Sequence, residues 1–86
     1  MGRFLAERYL PASARESLAR DAARLDNGAE PGVRLLLTLY CPDDDTCFHL
    51  FDAGSAALIQ RTASAAGIEL NRIGRATQIS ANGASR

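Results

Sequence analysis

One histidine and two cysteines carry the soft donor atoms of this 86-residue sequence, and they fall close together at Cys41, Cys47 and His49. Imidazole and thiolate together suit a borderline or soft divalent ion such as zinc, nickel or copper. The spacing Cys47-x-His49 is workable on a β-strand, because residues i and i+2 point to the same side. Glu7 would add a carboxylate if its strand lies beside that of His49, and Tyr9 has the same parity. The predicted metal ligands are therefore His49, Cys47 and Glu7, with nickel or zinc as the expected ion. One subunit offers too few donors for a closed site, so a second copy would have to complete it. Two other readings stand beside this one. His49 could be the acid/base of an enzyme acting on a small organic substrate. It could also be structural, since a single His on a half-apolar strand is more often a hydrogen-bonded core residue. A Cys in a small protein is more often a small buried hydrophobe.

Nucleophilic chemistry has less to rest on. Cys47 and His49 are about 6.5–7 Å apart along a strand, too far for a direct Cys–His pair. No G-x-S-x-G elbow, phosphate-binding glycine loop or H-E-x-x-H is present. Asp43, Asp44 and Asp45 lack the spacing and closing Glu of a calcium loop, so they read as a solvated turn. Cys41 and Cys47 flank that turn, and a disulfide there is geometrically conceivable. In a reducing compartment both are expected to be thiols.

The elements that must position these residues follow from pattern. Arg3 to Leu10 alternates and ends at Pro11, a first strand. Ser13 with Glu16 has capping-box spacing, and Leu18, Ala22 and Leu25 recur at helical intervals up to the Asn27-Gly28 stop. Asp21 and Asp26 are assigned to the polar side of that helix. Pro31-Gly32 is a turn, and Val33 to Tyr40 a nearly continuous apolar strand. Thr46 to Phe51 forms a hairpin with it. Ser55 caps a helix from about Ala56 to Ala66, stopped by Gly67. Leu70 to Ile79 reads as a weaker last strand, with Ile73 and Ile79 as its anchors. Residues 80–86 read as a flexible tail, so residues 1–79 form the single domain.

Strand, helix, strand, strand, helix, strand is the split βαβ order. The predicted fold is α+β, ferredoxin-like βαββαβ: a four-stranded antiparallel sheet with two helices on one face. The helices leave the other face open, yet the second strand is apolar on both sides. An open apolar sheet face marks an interface, and a homodimer of the dimeric α/β-barrel type, sheet against sheet, is the expected solution. Phe48 and Leu50 are assigned to the helix-covered face, which puts Cys47 and His49 on the open one.

Composition narrows the classes. Apolar residues make up 47% of the chain, which suits a folded domain. Cations and anions balance at ten each, so there is no basic surplus of the kind nucleic-acid binders use. No stretch approaches the roughly 20 apolar residues of a membrane span. The N-terminal apolar residues are broken by charges at once, unlike a signal peptide. Ala6 stands where a myristoylation motif wants Ser or Thr. A cytoplasmic protein is expected, with no nucleic-acid or membrane partner.

Three segments also resemble a known group. Residues 4–11 (FLAERYLP), residues 40–53 (YCPDDDTCFHLFDA) and residues 66–73 (AGIELNRI) are similar to those of a family of small bacterial proteins of unknown function. That family includes actinobacterial members described as nickel-binding. The resemblance runs from about Arg3 to Ile79. It implies a dimeric ferredoxin-like fold and nickel binding through position 49, with no settled enzymatic activity. The group often carries Cys where His49 stands, within Cys-x-Phe/Tyr-x-Ala-Pro. His can replace Cys as a ligand for nickel or zinc.

Overall fold

The computed structural model describes residues 2–77 and 79. Its elements run β1 (Gly2–Tyr9), a 3-10 segment (Ala12–Ser17), α1 (Leu18–Asn27), β2 (Arg34–Cys41), a 3-10 turn (Pro42–Asp44), β3 (Thr46–Ala53), α2 (Ala56–Ala65) and β4 (Arg72–Ala76). The strands form one antiparallel sheet in the order β2-β3-β1-β4. This is the α+β ferredoxin-like fold that the element order predicts. Both helices pack on one face. Leu25 of α1 and Ile59 and Ala63 of α2 meet Phe4 and Ala6 of β1 and Phe51 and Ala53 of β3 in one core.

Local chemistry explains most boundaries. The Ser55 hydroxyl accepts from the Leu58 N–H and starts α2. Gly67, at φ 72°, lets the chain turn back, and the Ile68 N–H reaches the Ala63 carbonyl. The β2–β3 turn closes with Asp45 in the left-handed region at φ 48°, a conformation that Asp tolerates.

Four expectations need correction. The Ser13–Glu16 capping box does not form. The chain leaves Pro11 into a 3-10 segment with no side-chain cap, and the α-helix proper starts only at Leu18. Asp21 is buried with Leu25, although the helical pattern put it on the polar side. The nearly continuous apolar strand expected at Val33 to Tyr40 starts at Arg34 and is not regular. A register shift between Leu35 and Leu37 turns Leu35, Thr38 and Tyr40 to the helix side and Leu37, Leu39 and Cys41 to the open side. β4 ends at Ala76, so Ile79 is no strand anchor but an apolar side chain 80% exposed. The proposed tail, residues 80–86, lies outside the described residues.

The fifth correction bears on function. Cys47, His49, Phe51 and Ala53 share one face, as their parity requires, but it is the helix-covered face. Phe48 and Leu50 face the open side and are only half-buried. Both sets are apolar enough to serve as core, so β3 alone cannot decide between them. Its neighbour does. Ala6 sits opposite His49 and Phe4 opposite Phe51, and these two pack under the helices.

Candidate functional site

The helix-covered side of the sheet holds a compact polar cluster at its β2–β3 hairpin end. β3 supplies Cys47 and His49, both fully buried. Thr38 lies directly across from His49 on β2, and Arg8 directly across from Cys47 on β1. Asp21 comes down from α1 to meet Arg8 at 2.9 Å, and Ser17 donates to the same carboxylate oxygen at 3.1 Å.

His49 has a polar neighbour on each ring nitrogen. Nδ1 lies 2.8 Å from the Thr38 hydroxyl, and Nε2 lies 3.6 Å from the Cys47 sulfur. A neutral ring satisfies both, with the hydroxyl donating to Nδ1 and Nε2–H directed at the sulfur. The side chains of Cys47 and His49 lean together, so the backbone spacing along the strand is no bar to a direct contact. Burial, helped by the positive charge of Arg8, lowers the His49 pKa to about 4. Burial also raises the Cys47 thiol pKa, and the charge of Arg8 offsets this only in part. For Asp21 burial acts upward, but hydrogen bonds from Arg8 and Ser17 and the charges of Arg8 and Arg20 outweigh it, and its carboxyl is held below the usual value. The resting cluster is thus a neutral imidazole, a neutral thiol and a buried Arg–Asp ion pair. One donor is left over: Arg8 Nη1 is buried without a partner among the described residues.

The three predicted ligands do not converge. Glu7 is on the opposite face from Cys47 and His49, and its carboxylate is 3.6 Å from Arg72. The reason is the parity of β1, where Ala6 and Arg8 share the helix side and Glu7 must point away. Tyr9 is with Glu7 on the open face, 64% exposed. Cys41 and Cys47 are free thiols. Cys41 pairs with Thr46 and Tyr40 with Cys47, so the two sulfurs leave the sheet on opposite sides. Among the described residues no group of three or more His, Cys, Asp or Glu side chains is arranged to hold a metal ion. The donor types of Cys47 and His49 suit nickel or zinc, but the pair fills only two positions.

Arg8 and Asp21 were missed as site residues. A signal for Arg8 was available: it shares parity with Phe4 and Ala6, so a helix-facing β1 takes it inward. Nothing in the helical pattern marks Asp21, whose burial depends on Arg8 waiting below it.

The open face is a second candidate. It carries Leu5, Phe48 and Leu50 half-buried, and Leu37 and Leu39 43% and 56% exposed. At the end near the β2 irregularity a groove of ≈ 470 Å³ is lined by Arg3, Leu36, Leu37, Leu50, Ala76 and Thr77. No described helix is long and apolar enough to cross a membrane.

No protein-family model matches this chain. No curated protein matches it either. Among solved structures it is similar to SCO4226 from Streptomyces coelicolor A3(2), with a TM-score of 0.63 and 17% identity, over 91% of this chain and 99% of that one. That likeness supports the ferredoxin-like fold.

Proposed function

We propose that this chain is a self-associating binding module: two copies stack their open sheet faces into a dimeric α/β barrel. The observation that carries this reading is the apolar surface that Leu5, Leu37, Leu39, Phe48 and Leu50 form as ladder neighbours on the face opposite the helices. Such a surface seeks cover. The chain's balanced charge adds no net repulsion between copies. The buried cluster has a structural role here. His49 is sealed from solvent and holds Thr38 and Cys47 in register, which does not favour it as an acid/base. Sedimentation equilibrium tests the proposal. The expected mass is twice the 9.2 kDa chain, falling to the monomer in Leu39→Glu. A wild type that stays monomeric up to ~1 mM would discard it.

A second reading, divalent-metal binding through Cys47 and His49, has one observation in its favour. Donors about 2.3 Å (sulfur) and 2.0–2.1 Å (nitrogen) from a tetrahedral ion are themselves about 3.6 Å apart. The Sγ–Nε2 separation is 3.6 Å. Against it stand the neighbouring Arg8 charge and the raised thiol pKa. Titration of the reduced protein with nickel and with zinc separates the cases. Tight binding lost in His49→Ala supports the metal, and no heat from wild type rejects it.

A further inference from the structure

The groove on the open face has a natural occupant in the sequence. Its lip is Ala76 and Thr77, where β4 has just ended, so the chain departs from the groove's own edge. Residues 77–86 follow, reading TQISANGASR, and Ile79 is the one large apolar residue among them. Ile79 is 80% exposed while the groove beside it is open, so it is not seated in the groove of its own chain. We infer that the segment after β4 crosses to a second copy, where Ile79 enters the groove formed by Leu36, Leu37 and Leu50. The inference rests on the dimer reading and specifies how that dimer is held.

The size of the sheet argues for such an arm. Four strands about 4.8 Å apart and some seven residues long, at about 3.3 Å each, project roughly 19 × 23 Å. Two such faces cover roughly 900 Å² between them, below the ~1,200–2,000 Å² of stable interfaces. Exchanged arms add area from outside the sheet. They also cover Leu36, which lies at the irregularity of β2 and is 37% exposed. Leu36, Leu37, Leu50 and Ala76 give the groove an apolar floor, and Thr77 gives the arm a polar exit. A two-fold dimer makes the exchange reciprocal, so each groove is filled once and no open chain of subunits grows.

Two experiments test the arm separately from the stack. In the first, dimer dissociation constants are compared for the full chain, a chain truncated after Thr77, and Ile79→Asp. Both variants are expected to weaken the dimer about 10-fold or more, the worth of burying one isoleucine side chain. In the second, Ile79→Cys and Leu36→Cys are made in separate chains, each also carrying Cys41→Ser, then mixed and oxidised. A disulfide joining the two different chains is expected. A dimer of unchanged affinity without the segment, or with no mixed crosslink, overturns the exchange and leaves the sheet stack standing. A monomeric wild type overturns both.

Discussion

His49 and Asp21 make acid the sensitive direction for this fold. The folded-state pKa of His49 is lowered from 6.5 to about 4, so the unfolded chain binds the extra proton between those values. Stability from this residue is therefore complete above about pH 6.5 and drains as pH falls toward 4. The full effect is worth about 3 kcal/mol, of which roughly half is lost by pH 5. Asp21 shifts in the same sense for a carboxylate, so its contribution goes later, as pH drops below its ordinary range near 3.8. Urea midpoints measured from pH 7.5 to 4 should fall for wild type and fall less for His49→Gln. An equal slope in the variant would assign the loss to other groups. The ion pair gives a sharper contrast. Asp21→Ala leaves the Arg8 charge buried alone and should cost about 3–5 kcal/mol. Removing both charges, with Arg8→Met and Asp21→Leu together, should recover most of it.

Elements show how far local pattern carries. The α2 cap is written in Ser55, and the structure uses it. Ser55→Ala should cost about 1 kcal/mol in thermal unfolding. Gly67→Ala should cost a similar amount, because alanine resists the positive φ found there. The N-terminal side of α1 was not legible in the same way. Ser13 and Glu16 have capping-box spacing, but Pro11 holds an extended entry and the first turns tighten into 3-10 geometry. Spacing reports what a helix end could use, and the tertiary path decides where that end falls. β3 makes the same point for the candidate site. Its parity put Cys47 and His49 together without error, yet the choice of face depended on Ala6 and Phe4 across the ladder, and on an Asp21 that looked solvent-facing. Glu7 was lost with that choice. The β2 irregularity was invisible because Leu35, Leu36 and Leu37 are identical residues, and an identical run cannot reveal a slipped register.

For the whole molecule, the two faces of the sheet have separate tasks. The helix side is a closed core, so changes there act on folding. The open side is only half-buried within its own chain, so changes at its exposed positions should leave the core contacts intact. Leu39 is the cleanest probe. It is 56% exposed and its neighbours Phe48 and Tyr40 stay anchored by the ladder. If a second copy covers this face, the midpoint of thermal unfolding must rise with protein concentration, because association stabilises only the folded chain. Differential scanning calorimetry across a hundredfold concentration range should show that rise for wild type. Leu39→Glu should remove the dependence, with a midpoint no lower than that of wild type at the dilute limit, since a glutamate on an exposed strand position breaks no core contact. A concentration-independent midpoint in wild type would mean that the apolar face is tolerated bare or covered by another partner. A variant melting far below the dilute wild type would mean that Leu39 belongs to the fold of the single chain.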